Sequence, residues 1–167
     1  LDLSGNENDA LIYGATSSPL SSVTYYETQF GKGDEVADFG FNYTWDGSQV
    51  KTTTRYYYGD DSDMGDEGHT AGSDNVQFNH KLVRSISYAL DIDLDRNRKI
   101  DKDTEEADAV KKSETYYHVE GRQKGEEVAY YAYNYKTSND IQVVRDTSIY
   151  WYDGIYKGSD TVNVDNE

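Results

Sequence analysis

The sequence predicts an all-β chain, built from tandem β-hairpin repeats of about 30 residues that form an extended or stacked antiparallel sheet with one short insertion. Three observations carry that expectation. The 167 residues include 17 Tyr and 14 Gly but a single Pro, a composition that suits pleated strands and turns better than helices. Apolar and aromatic residues alternate with polar ones over several stretches. Aromatic clusters also recur at a nearly constant interval along the chain.

Taken in order, Glu35 to Tyr43 reads as a strand with Phe39, Phe41 and Tyr43 on one face. Asp46-Gly47 then signals a hairpin turn, because Gly takes positive φ without steric cost. Gln49 to Tyr58 is the returning strand, followed by the acidic loop that opens at Gly59-Asp60-Asp61. A weaker copy runs through Asn75 to Phe78 and Leu82 to Tyr88. Val128 to Tyr135 alternates again, with Tyr131, Tyr133 and Tyr135 on one side.

Internal similarity ties these segments together. Tyr25, Tyr57, Tyr88, Tyr116 and Tyr150 follow one another at steps of 32, 31, 28 and 34 residues. Gly33-Asp34-Glu35-Val36-Ala37 matches Gly125-Glu126-Glu127-Val128-Ala129, and Asn42-Tyr43 matches Asn134-Tyr135. After a one-residue gap, Gln49-Val50 matches Gln142-Val143, and Thr54, Tyr57 and Asp60 fall on Thr147, Tyr150 and Asp153. The units are 7–30, 31–62, 72–95, 107–122 and 123–156, with an inserted acidic loop over 91–112. Tyr156 to Val162 resembles Gly31 to Val36, so 157–167 reads as the start of a further unit or an assembly segment. The five Tyr are expected to form an aromatic ladder between neighbouring hairpins, burying rings while hydroxyls reach polar partners.

Sixteen Lys and Arg against 32 Asp and Glu leave a formal charge of −16, a field that repels nucleic acid and anionic membranes and favours cations. No apolar run approaches the length needed to span a bilayer. The chain has no Cys, which removes disulfides and thiolate metal sites. His69, His80 and His118 have no zinc-ligand spacing, and neither a Gly-x-Ser-x-Gly elbow nor a phosphate loop is present. No catalytic residue stands out among the 32 carboxylates.

The clearest site chemistry lies in the insertion. Asp93, Asp95, Asn97 and Asp101 stand at positions 1, 3, 5 and 9 of a twelve-residue stretch. Lys99 offers a backbone carbonyl at position 7, and Thr104 stands at position 12 beside Glu105. Six to eight hard oxygens converging in this way suit calcium. The stretch resembles the EF-hand or dockerin calcium loop, with Arg98 where that family places a turn glycine. Thr104 to Lys112 is expected to add one or two helical turns, completing a calcium-loop/helical insertion. A second acidic stretch, Asp60 to Gly68, lacks fixed ligand spacing and reads as a solvated loop.

Tyr-rich hairpins with elements such as Tyr152-Asp153-Gly154 resemble the YD or Rhs class of tandem β-hairpin proteins of bacterial surfaces. The resemblance implies tandem β units in an extracellular or cell-surface setting. The Gly-Arg-Leu-Thr turn and shorter unit of that class are not found in this chain. The expected function is a non-enzymatic structural or surface-assembly protein. It continues head to tail, either as a covalent repeat array or as a filament of copies joined through Leu1 to Tyr13 and Thr161 to Glu167, and calcium stabilises it. The alternative is a carbohydrate-binding or adhesive β-sandwich that contacts polysaccharide through Trp45 and Trp151, and a secreted polysaccharide hydrolase stands third.

Overall fold

The computed structural model describes residues 19–60, 67–90, 109–139 and 141–152. Its strands are β1 (Ser22–Glu27), β2 (Val36–Tyr43), β3 (Val50–Gly59), β4 (His69–Thr70), β5 (Lys81–Ala89), β6 (Lys111–His118), β7 (Val128–Ser138) and β8 (Ile141–Ile149). They form one open, eight-stranded antiparallel sheet in the order β1-β2-β3-β5-β6-β7-β8. The all-β expectation therefore holds, and the extended arrangement is the one adopted: the described strands make a single sheet, not two facing ones. The short β4 pairs with Tyr57 and Tyr58 of β3, on the same side as β2, because β5 occupies the other side of β3 from Thr52 to Gly59.

Alternation places the core on one face. Phe39 and Phe41 of β2, Tyr57 of β3, and Ile86 and Tyr88 of β5 form a buried cluster, with Tyr25, Tyr43, Val50 and Ala109 packed against it. A second cluster joins Val36 and Tyr58 to Ala71 and Val76 of the connection between β3 and β5. There the Tyr58 hydroxyl donates to the Ala37 carbonyl at 2.7 Å, so a buried ring keeps its polar end satisfied. The turn expected at Asp46-Gly47 is present, but of its two residues only Gly47 has positive φ, at 71°. Asp46 instead accepts from the Thr44 hydroxyl and from Ser48, closing a wider loop than the two-residue turn the dipeptide suggests.

A three-strand motif occurs twice. Tyr25 stacks on Phe39 with centroids 4.7 Å apart and rings 21° from parallel, and Tyr116 stacks on Tyr131 at 4.7 Å and 19°. The edge-to-face pairs Phe39–Phe41 and Tyr131–Tyr133 both lie at 5.4 Å. Preceding these strands, Gly33 N–H donates to Glu35 and Gly125 N–H donates to Glu127. Asn42 donates to Thr52 as Asn134 donates to Asp146.

Every long strand pairing also carries one β-bulge, at a repeating position. The register shifts after Tyr25, Tyr57 and Tyr116 in the β1–β2, β3–β5 and β6–β7 pairs, and before Tyr43, Tyr88 and Tyr135 in the β2–β3, β5–β6 and β7–β8 pairs. The extra residue in each of the second set is basic: Lys51, Lys112 and Arg145. Each bulge re-aims the following side chain and strengthens local twist.

Register corrects one part of the sequence comparison. Phe39 opposes Arg55 while Tyr131 opposes Ile149, so Arg55 corresponds to Ile149 and, two residues on, Tyr57 corresponds to Trp151 instead of Tyr150. Sequence matching admits one extra residue in the second hairpin, whereas pairing admits two, because turn length and bulge set register. The expected helical turns over Thr104 to Lys112 are also corrected where the structure describes them. Lys111 and Lys112 belong to β6, since Lys111 opposes Tyr88 in the ladder. Residues 104–108 lie outside the described residues.

Candidate functional site

The expected calcium ligands Asp93, Asp95, Asn97, Lys99, Asp101, Thr104 and Glu105 lie outside the described residues, as do the segments 1–13 and 161–167. Among the described residues no group of three or more His, Asp or Glu is placed to hold a metal ion. No helix among them is long and apolar enough to cross a membrane.

The sheet does not bring the two tryptophans together. Trp45 is 90% exposed in the β2–β3 turn, and Trp151 is 71% exposed just beyond β8. Trp45 lies two residues beyond Tyr43, which is level with Val50, whereas Trp151 lies level with Tyr57, so the two stand toward opposite ends of the strands. The expected ladder is divided as well. Tyr57 and Tyr88 are buried in one cluster with Tyr25 packed against it, Tyr116 stacks on Tyr131 further along the sheet, and Tyr150 is exposed at the edge.

That edge is the most distinctive surface. Among the described residues β8 pairs with β7 alone, and Ile141, Val143, Val144, Ile149, Trp151 and Tyr152 are exposed along it. An interior strand in the same position looks quite different. Tyr57 is 1% exposed, with the Arg84 guanidinium of the next strand 4.3 Å above its ring, whereas Trp151 at the matching level is 71% exposed.

No protein-family model, curated protein or solved structure matches the chain. The residues themselves therefore carry the reading of the site.

The interior of the sheet holds a polar cluster that sequence reasoning did not single out. Glu114 of β6 is 4% exposed. Its Oε1 accepts from Arg84 of β5 at 2.9 Å and from the Tyr116 hydroxyl at 3.1 Å. Its Oε2 accepts from the Tyr135 hydroxyl of β7 at 2.7 Å and lies 3.6 Å from the Lys111 ammonium. Burial alone would raise the Glu114 pKa, but the Tyr135 hydrogen bond, Lys111, Arg84 and Tyr116 outweigh it and hold the carboxyl below the ordinary glutamate range. Burial pushes the Tyr116 hydroxyl up to about 12, helped by the adjacent Glu114 charge.

With both carboxylate oxygens engaged, Glu114 clamps β5, β6 and β7 together. A second cross-strand tie lies nearby: the Gln142 amide of β8 accepts from the Lys111 N–H at 3.1 Å and donates to the Lys111 carbonyl at 2.8 Å. The readable signal for the buried pair was Arg84 and Glu114 occupying positions that alternation assigns to the inner face.

Proposed function

We propose that the protein is an extracellular structural repeat protein that self-associates head to tail through its sheet edges, with calcium bound by the acidic insertion stabilising it. One observation carries this reading. Among the described residues the outer ladder of β8 meets no further strand and is flanked by exposed apolar side chains, and repeat register puts the exposed Trp151 level with the buried Tyr57. Long exposed edges of this kind are templates for strand addition.

Strand parity refines the geometry of the joint. Seven strands lie on the main path and alternate in direction, so β1 and β8 run the same way. Direct apposition of β8 with β1 of a translated copy would be parallel. One interposed strand running the opposite way restores antiparallel pairing on both sides, and the terminal segments supply that strand in this proposal.

Sedimentation velocity of the wild-type chain, with calcium and with chelator, tests the assembly. Polymers in calcium that shrink in chelator are expected. Trp151→Lys and Val144→Lys place charge on the edge and should leave monomers of unchanged circular dichroism. A wild-type monomer in both conditions overturns the proposal.

A further inference from the structure

The face opposite the aromatic core holds a second surface of unusual chemistry. Small polar residues run across the strands there, ending on one carboxylate: Thr54 opposes Ser87, Ser87 opposes Ser113, Ser113 opposes Asn134 and Asn134 opposes Asp146, which accepts from the Asn134 amide. Their short side chains leave a shallow groove of about 380 Å³, whose polar lining includes Ser87, Ser113 and Asn134. Four cations, Lys111, Lys112, Lys136 and Arg145, also line it. Two of them are at bulges, Lys112 on β6 and Arg145 on β8.

The cations are not equally engaged. Lys111 faces Glu114, and Arg145 donates to Asp146 through Nε. Lys112 and Lys136 are exposed and form no ion pair among the described residues. In a chain of charge −16, the described residues that line this groove include four cations and no carboxylate, with Asp146 beside Arg145 at its margin. Concentrated opposite charge of this kind attracts a small anion while the surrounding field disfavours a long polyanion such as nucleic acid.

We propose that this groove binds a carboxylated sugar, with Lys112 and Lys136 facing the carboxylate and the Ser, Thr and Asn side chains meeting the sugar hydroxyls. The volume falls within the range of small-ligand sites, roughly 300 to 1,000 Å³. An acidic peptide suits the groove less well. Extended peptides are held by open backbone, yet β5, β6 and β7 are each paired on both sides, and the Lys111 backbone is taken by Gln142. Side chains must therefore do the recognition, and these are hydroxyls, an amide and cations. The proposal stands apart from edge assembly, since none of these residues is exposed apolar surface of β8.

Isothermal titration of the full chain with trigalacturonate, maltotriose and triglutamate tests it. Trigalacturonate should bind with an affinity that falls as salt rises, and maltotriose should not bind. Lys112→Gln with Lys136→Gln should weaken trigalacturonate binding roughly tenfold or more, with circular dichroism and unfolding midpoint unchanged because both side chains are exposed. Trp151→Lys should leave the binding intact, which separates this result from failure or success of edge assembly. Three results would overturn the proposal: no trigalacturonate binding, unchanged affinity in the double variant, or equal binding of triglutamate, which reduces the groove to unselective charge.

Discussion

Arg84 on β5 and Glu114 on β6 meet at 2.9 Å inside the sheet, with side chains 7% and 5% exposed and the guanidinium stacked over Tyr57. A buried pair of this kind is costly to break from one side, because the remaining charge stays in a low-dielectric setting without its partner. Glu114→Gln should lower unfolding stability by about 3 to 5 kcal/mol, while Arg84→Met with Glu114→Leu should be closer to neutral. Urea unfolding of the two variants provides the comparison, and equal losses would count against the clamp.

The same carboxylate sets an acid limit on stability. Its folded pKa is lowered, so its contribution is complete above the unfolded glutamate pKa and disappears as pH falls through the folded value. Stability of the wild type should decline as pH falls below the ordinary glutamate range, and Glu114→Gln should show a shallower decline. Tyr116 has the opposite dependence: its folded pKa is raised to about 12, so stability falls as pH climbs from the ordinary tyrosine value toward that figure. Tyrosinate absorbance should show a late-titrating fraction that Tyr116→Phe reduces.

Two tyrosines on one strand should respond differently to loss of a hydroxyl. Tyr131 occupies the place that Phe39 fills in the earlier copy of the motif, with matching ring geometry. Tyr131→Phe should therefore change stability by less than about 0.5 kcal/mol. Tyr135 donates to the buried Glu114, and Tyr135→Phe should cost about 1.5 to 3 kcal/mol. Thermal or urea unfolding of both variants decides the point, with similar values contradicting the assignment.

Two glycines with nearly the same backbone conformation separate conformational cost from crowding. Gly121 has φ of 68° with open space around it, whereas Gly68 has φ of 64° and an added Cβ would stand 2.5 Å from Val83 Cγ2. Gly121→Ala should lose about 1 kcal/mol from the left-handed backbone alone. Gly68→Ala should lose about 1 to 3 kcal/mol more through overpacking against Val83, measurable by the same unfolding series.

Short-range periodicity made much of this architecture legible. Phe39, Phe41 and Tyr43 share a face because strand side chains alternate, a rule that needs no knowledge of the neighbouring strand. The matches of Gly33 to Ala37 with Gly125 to Ala129 likewise pointed to two related hairpins, since the same turn chemistry recurs in both. What the pattern left open was which residue of one strand opposes which residue of the next.

The sequence by itself determined that the chain forms strands, where several of its turns fall, and that its hairpins repeat, all consequences of local backbone preference and a period of two. Tertiary structure decided the register and the bulges. Those placed Trp151 at the level of Tyr57, brought Arg84 to Glu114 across 30 residues of chain, and gathered Lys112 and Lys136 into one groove. The physical reason is that a one-residue shift in pairing exchanges the faces of an entire strand. Such shifts depend on turn length and on packing between strands distant in sequence, which local propensity does not encode.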